Sequence, residues 1–120
     1  MQILIPLDIF PEKDKKWVKE SSIKEINGKK YVNVSSLPLE YHFQQARRFN
    51  ETMISSGNYK KVDEKIELTE KGKEFFKRLS EKHRKFKDKC DVSQLLMHVP
   101  EKDLDQVIVR KEKRDMELPH

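Results

Sequence analysis

The sequence predicts a single small domain of the α+β class. Asn27-Gly28 stands between short apolar stretches, which is typical of a β-hairpin. Apolar residues then recur every three or four positions across residues 39–56, which is typical of an amphipathic helix. Further along, the alternation Ile66-Glu67-Leu68 passes directly into a helix start at Thr69. A chain of 120 residues has room for one domain with a modest core.

The first 34 residues are predicted to form an N-terminal β element. The stretch "MQILIPLDIF" predicts a strand or an extended arm that ends at Pro11. Ile23 and Ile26 before the Asn-Gly pair, and residues 31–34 after it, predict the two strands of a hairpin with a type I′ turn. Two roles remain open for residues 1–34: they close the core, or they reach a second subunit as an unpaired strand.

Residues 39–56 are predicted to form the longest helix. Its apolar stripe would comprise Leu39, Phe43, Ala46, Phe49 or Asn50, and Met53. Pro38 fits the first turn of a helix and Gly57 its C-terminal cap. Two versions fit the pattern. The segment is one helix from about Leu39, or a short helix near residues 35–41 followed by a tight turn and a longer helix over residues 43–56.

A second, shorter hairpin and a charged helix are predicted to follow. Two strands would flank Asp63-Glu64, with Val62, Ile66 and Leu68 as the inward candidates. Thr69 is a good helix N-cap, and Glu70 suits the positive end of the helix dipole. The helix would run to residue 89 and bury Phe75, Phe76, Leu79 and Phe86. Glycine is a poor helix residue, so we expect that Gly72 allows a neighbouring backbone to come close.

The remaining residues are predicted to form C-terminal helices. A short helix would begin at Asp91 or Ser93, and Pro100 would end it. A last helix over residues 101–116 would place Leu104, Val107 and Ile108 on one side, with residues 117–120 as a frayed end. The single domain over residues 1–120 then divides into three parts: a strand and hairpin (1–34), a helix-and-hairpin core (35–90) and C-terminal helices (91–120).

Charge and composition narrow the setting. The net charge is +5, and residues 69–90 hold nine basic and four acidic side chains, whereas residues 35–68 hold five of each. A basic helix of this kind attracts nucleic acid or an acidic protein. No apolar run approaches the ~20 residues of a membrane span, and the first ten residues lack the basic region of a signal peptide. With a single cysteine, the chain fits a reducing compartment, so we expect a cytoplasmic protein without membrane contact.

The residues offer no pattern for catalysis. The four histidines are scattered, and the sequence has no HExxH, no CxxC and no glycine-rich phosphate loop. His83 and Cys90 lie seven residues apart, which would place them on one face of a continuous helix. We interpret them as residues at the edge of the core rather than as a metal site or a nucleophile with its base. We therefore expect no enzyme, no catalytic residue, no metal and no cofactor.

Two stretches carry a resemblance to a known family. The first stretch, "NETMISSGNYKKVDEKIELTEKGKEFFKRL", resembles the wing region of winged helix-turn-helix regulators of the MarR and PadR types. The resemblance rests in particular on Leu68-Thr69-Glu70-Lys71-Gly72. The second stretch, "LLMHVPEKDLDQVI", is similar to the linking turn before the last helix of MarR-type proteins. The resemblance covers about residues 35–110. It implies a winged-helix-like α+β domain, here with the N-terminal β element and the C-terminal helices added to it.

The resemblance also implies a function and a set of site residues. It implies a transcriptional regulator that binds double-stranded DNA as a homodimer, with residues 43–56 as the recognition helix. The outward residues of that helix would be Gln44, Gln45, Arg47, Arg48 and Glu51, and the first four would bind DNA. Arginine and glutamine suit this role because they form paired hydrogen bonds with base edges in the major groove. The wing would add phosphate or minor-groove contacts from Asn58, Tyr59, Lys60, Lys61 and Lys65.

Two other functions fit the same residues. The first is a small protein-binding adaptor or inhibitor, of a viral or mobile-element type, that acts on a nucleic-acid-handling enzyme. The zero net charge of residues 35–68 favours it, since a protein that reads DNA gains affinity by neutralising phosphates. The N-terminus favours it as well, because residues 1–34 are predicted to form a strand and a hairpin where winged-helix regulators usually have helices. The second is a replication or recombination accessory protein that binds DNA without sequence preference through the basic helix of residues 71–89.

Overall fold

The computed structural model describes residues 1–110, which form a mixed α+β fold built on a small antiparallel sheet. The strands of this sheet are β1 (Gln2–Pro6), β2 (Ile23–Ile26), β3 (Lys29–Asn33) and β6 (Ile108–Arg110), in the spatial order β2-β3-β1-β6. Between β3 and β6 the chain forms helix α1 (Leu39–Ser55), a separate hairpin of β4 (Tyr59–Val62) and β5 (Lys65–Leu68), and helices α2 (Glu70–Lys82) and α3 (Val92–Leu96).

The N-terminal β element forms the centre of the fold. The predicted hairpin is confirmed: β2 and β3 pair in antiparallel fashion, and Asn27 and Gly28 both adopt positive φ angles, as a type I′ turn requires. β1 lies between β3 and β6 and is almost wholly buried. Ile3 and Ile5 belong to the main hydrophobic core together with residues of α2 and α3. Residues 1–34 therefore close the core.

The predicted last helix is wrong within the described residues. Residues 101–106 form a 3-10 helix, and the chain then continues as the strand β6, in which Val109 pairs with Ile3. Ile108 and Val109 are β-branched, so their side chains fit a sheet better than a helix, and β1 offers them a free edge. Residues 111–116 of the predicted helix and the predicted frayed end lie outside the described residues.

Helix α1 is a single uninterrupted helix of 17 residues, so the version with a turn near residue 42 is wrong. Pro38 precedes its first turn, and only one 3-10 turn, Val34–Ser36, lies between it and β3. Gly57 has a φ of 82°, and the amide of Asn58 donates to the carbonyl of Met53 at 2.9 Å. This is the hydrogen bond of a helix that ends on a left-handed residue, and the predicted glycine cap is confirmed.

Helix α2 begins as predicted and ends earlier. Thr69 Oγ1 accepts a hydrogen bond from the amide of Gly72 at 3.0 Å. A methyl group on Gly72 would overlap the carbonyl oxygen of Asn58, which confirms the expected close backbone approach. The helix stops at Lys82 because His83 leaves the helical conformation, with φ −115° and ψ 56°. His83 and Cys90 therefore do not share the face of one helix, and the 3-10 turn Arg84–Phe86 follows instead.

The core gathers one set of apolar side chains from the sheet and the helices. Leu79 and Phe86 are buried in it as predicted, whereas Phe75 and Phe76 are only half-buried. Asp91 precedes α3, in line with one of the two predicted starts. In the part of the chain that the structure describes, no helix is long and apolar enough to cross a membrane.

Candidate interaction surface on helix α1

The N-terminal half of helix α1 buries a different face from the one its sequence pattern predicted. The buried residues are Tyr41, Gln45, Phe49 and Met53, which follow one another at four-residue steps. Only Phe49 and Met53 belong to the predicted stripe. Leu39 and Phe43, the first two members of that stripe, point to solvent and are 68% and 66% exposed. The prediction of the buried face was therefore wrong for the N-terminal half of the helix.

A polar cluster holds the inner face of α1 against the rest of the fold. Gln45 Nε2 donates to the backbone carbonyl of Met97 at 3.0 Å, and the Tyr41 hydroxyl shares a hydrogen bond of 2.8 Å with His98 Nδ1. The Tyr41 and His98 rings stack at a centroid distance of 5.6 Å. These contacts fix the rotation of α1 about its axis, because each polar group buried beside it needs its partner.

A buried carboxylate ties α1 to the N-terminal segment. Asp14, in the 3-10 helix Glu12–Trp17, has no exposed surface. Its Oδ1 accepts from Arg48 Nη1 at 3.1 Å and from Gln44 Nε2 at 3.3 Å. Arg48 Nη1 also donates to Gln45 Oε1 at 3.3 Å. Such donors are required because a buried charge has lost its water. Asp14 Oδ2 has no hydrogen-bond partner among the described residues.

The same environment shifts two pKa values. Burial, together with nearby His42, lowers the pKa of His98 to about 4. Burial also raises the pKa of Tyr41, and the negative charge of Asp14 adds to that rise. His98 is therefore neutral at pH 7, and the Tyr41–His98 hydrogen bond joins two uncharged groups. The hydrogen bonds of this cluster hold α1 against the rest of the fold. We name the residues that form them the clamp: Asp14, Tyr41, Gln44, Gln45, Arg48 and His98.

Three of the predicted DNA-binding residues of α1 take part in this clamp. Gln45 is buried, so its predicted outward position is wrong, and its amide is bonded to Met97. Gln44 and Arg48 are half-buried and bonded to Asp14. Arg47 is the one exposed member of the predicted set on this helix. Within residues 1–110, the Arg47 side chain has no ion pair and no hydrogen bond.

The outer face of α1 carries an apolar stripe, which we name the outer stripe. It comprises Leu39, Phe43, Ala46, Asn50 and Ile54. Ile54 is 37% exposed, and Ala46 and Asn50 are half-buried. The spacing of four, three, four and four residues places all five on one side of the helix. Arg47 and Glu51 border the stripe on one flank. Leu39 and Phe43 lie one turn apart, and neighbouring exposed apolar side chains of this kind are typical of an interaction site.

The second hairpin projects from α1 and α2 as a separate two-stranded sheet. The predicted strands around Asp63-Glu64 are confirmed, but the prediction that Val62, Ile66 and Leu68 lie inward is wrong, since each is about 40% exposed. A hairpin that packs by one end only cannot bury its middle. Ile66 and Leu68 lie beside a cleft of about 500 Å³, open to solvent, between β5 and α2.

The predicted wing residues divide into two groups. Asn58 is buried, and its side-chain Nδ2 donates to Ser56 Oγ at 3.0 Å. Tyr59 is half-buried between the rings of Phe49 and Phe76. These two residues anchor the hairpin. Lys60, Lys61 and Lys65 are exposed. Lys60 and Lys65 share one face of the hairpin, and Lys61 lies on the other, because cross-strand pairs point to the same side.

The structure supplies no metal-binding arrangement within residues 1–110, where no three His, Cys, Asp or Glu side chains converge. His83 instead lies 3.4 Å from both Glu101 and Asp105, and it links the end of α2 to the 3-10 helix that leads to β6. Cys90 is half-buried, and burial raises the pKa of its thiol.

Comparison with protein-family models, with curated proteins and with solved structures finds no match to this chain. The residues themselves therefore carry the functional argument. Sequence reasoning missed Asp14, which has no local signal because its partners lie 30 and 34 residues away. The buried face of α1 has helical spacing as well, with Tyr41, Gln45, Phe49 and Met53 at four-residue steps, but this spacing does not distinguish it from the outer stripe.

Proposed function

We propose that this protein is a protein-binding module whose docking surface is the outer stripe of α1. The observation that carries the proposal is the exposure of Leu39, Phe43 and Ile54 on one side of the longest helix. When a partner removes an exposed apolar side chain from water, the complex is stabilised by roughly 25 cal/mol per Å² of buried apolar surface. A winged-helix-like succession of α1, hairpin and α2 would then serve as a scaffold for this helix.

The chemistry of the stripe suits a protein partner better than a base-reading role. A helix that reads bases needs polar side chains directed outward to donor and acceptor groups in the groove. In α1, Gln45 is buried and Gln44 and Arg48 are bonded to Asp14. What remains outward is an apolar centre with a charged border, Arg47 and Glu51, which is the common composition of a protein interface with a polar rim.

The partner surface expected here is an amphipathic helix. An α-helical face with apolar residues at three- and four-residue steps packs best against another face of the same kind. Leu39 and Phe43 are one turn apart, and Ile54 lies near the other end of the helix. The partner would therefore need about four turns of helix to cover the stripe.

Photo-crosslinking in the full-length chain tests this proposal. We would replace Phe43 with a photoreactive phenylalanine analogue and compare it with the same replacement at Lys30, an exposed residue on β3. We expect a defined adduct from position 43 and none from position 30. The captured protein, purified, should bind the wild-type chain at least tenfold more tightly than Phe43→Asp. Equal labelling at both positions, or equal affinity of both chains, would contradict the proposal.

A second candidate is binding to duplex DNA, and the exposure of Lys60, Lys61 and Lys65 on the projecting hairpin favours it. Fluorescence anisotropy with random-sequence duplex, titrated with salt, tests it. DNA binding through the hairpin predicts affinity that falls steeply with salt and is lost in Lys60→Glu plus Lys61→Glu. Arg47→Glu tests in the same assay whether helix α1 contributes to DNA binding. No binding at low salt by the folded protein would exclude this candidate.

A further inference from the structure

The outer stripe has a near-symmetric pattern along α1. Phe43 and Ile54 lie at equal distances from a point between residues 48 and 49, each about 8 Å from it at 1.5 Å per residue. Ala46 and Asn50, which are smaller than the residues at the two ends, lie between them. A helix with this pattern is complementary to itself when two copies run in opposite directions, because Phe43 of each copy then meets Ile54 of the other.

The charges that border the stripe follow the same symmetry. Arg47 and Glu51 lie on one flank, four residues apart, and neither has an ion pair or a hydrogen bond through its side chain within residues 1–110. In an antiparallel pair of helices related by a two-fold axis, each flank lies beside the same flank of the other copy. With the axis between residues 48 and 49, Arg47 comes within about 1.5 Å, along the helix axis, of the height of Glu51 of the second copy.

Asn50 completes this arrangement. In the same register the two copies of Asn50 lie about 4.5 Å apart along the helix axis, close to the two-fold axis. A single asparagine in an otherwise apolar helix seam is a known means of setting register, because its amide needs a partner and finds one in the same residue of the other chain. Ala46, with its small side chain, lets the two helices approach there.

We propose that a second copy of this chain occupies the outer stripe, so that α1 pairs with α1 in an antiparallel, two-fold arrangement. This inference rests on the proposed function, since it names the partner of the same surface. The observation that selects a second copy over an unrelated helix is the charge complementarity. Arg47 and Glu51, whose side chains have no ion pair within residues 1–110, stand on one flank at the spacing that a two-fold axis brings together.

Sedimentation velocity of the full-length chain, over a range of concentrations, tests the inference. We expect a concentration-dependent monomer–dimer equilibrium for the wild type and at least a tenfold weaker dimer for Phe43→Asp. Ile66→Asp is the matched control, because Ile66 is also an exposed apolar residue but lies on the hairpin, and it should leave the dimer unchanged. Arg47→Glu and Glu51→Arg should each weaken the dimer, and the double variant should restore it.

Disulfide trapping tests the register. In a Cys90→Ser background, oxidation of Asn50→Cys should give a covalent dimer, because the two positions lie near the axis at a distance that a disulfide can span. Ser55→Cys, on another side of the same helix, should stay monomeric. A covalent dimer with the opposite preference would overturn the inference.

The inference and the proposed function fail in different ways. A wild-type chain that is monomeric at all concentrations, but whose position 43 crosslinks to a different protein, would overturn the inference and leave the proposed function in place. A dimer that Phe43→Asp does not weaken would overturn the inference as well. If position 43 in addition crosslinked no better than position 30, the proposed function would fail with it.

Discussion

The buried carboxylate of Asp14 makes a strong prediction about two neighbouring arginines. Arg48→Met removes the cation that lies 3.1 Å from Asp14 and leaves that carboxylate with only the amide of Gln44. Breaking a buried ion pair typically costs about 3–5 kcal/mol, but the Arg48 side chain is 42% exposed and its charge is partly screened by water. We therefore expect the free energy of unfolding to fall by about 2 kcal/mol. Arg47→Met is the matched control, because within residues 1–110 no buried carboxylate of the same chain lies against Arg47.

Urea unfolding followed by the fluorescence of Trp17 measures this effect. Trp17 is the one tryptophan of the chain, and it lies in the same 3-10 helix as Asp14. Adding Asp14→Asn to Arg48→Met should recover part of the loss, since the unpaired charge is then gone, and the two changes should be coupled by more than about 0.5 kcal/mol. If Arg48→Met were as stable as Arg47→Met, the ion pair with Asp14 would not hold α1 in place. The prediction that Arg48 binds DNA would then stand again.

Three further predictions concern stability. Gly72→Ala should lower the free energy of unfolding by at least about 1 kcal/mol, although alanine favours helices, because its methyl group meets the backbone of Asn58; a higher melting temperature would contradict this. Thr69→Val should cost about 1 kcal/mol through loss of the helix cap, measured by urea unfolding, and an unchanged midpoint would exclude that role. The lowered pKa of His98 means that the unfolded chain binds the extra proton, so stability should fall by about 3 kcal/mol as the pH drops from 6.5 to about 4. Unfolding of His98→Gln at neutral and acidic pH should show a shallower fall, and equal slopes would refute the assignment.

Features that depend on a few adjacent residues could be predicted from the sequence. The Asn27-Gly28 turn, the glycine that ends α1 and the Thr69 cap all follow from local backbone geometry. Each of them involves residues whose conformational preferences outweigh the surroundings. The projecting hairpin and the start of α2 were predictable for the same reason.

The candidate surface was only half predictable. The sequence shows that residues 39–56 are helical and that they hold apolar residues in two overlapping stripes. One stripe begins at Leu39 and Phe43, and the other runs through Tyr41, Gln45, Phe49 and Met53. Periodicity cannot choose between them, because both have helical spacing. The first begins with two large apolar residues, whereas the polar Gln45 interrupts the second, so the first was the natural choice for the core.

The amino-acid sequence by itself determined which segments of this protein are helix, strand and turn over most of its length. The tertiary structure alone decided which side of α1 faces inward and where the chain ends its sheet. Asp14 and the segment at Met97–His98 give Gln45 and Arg48 hydrogen-bond partners that replace water. These contacts favour the rotation of α1 in which Gln45 faces inward. Val109 becomes a strand residue because Ile3, more than 100 residues away, leaves an edge to pair with. Contacts between residues so distant in the chain leave no local pattern, and they exist only once the whole fold is formed.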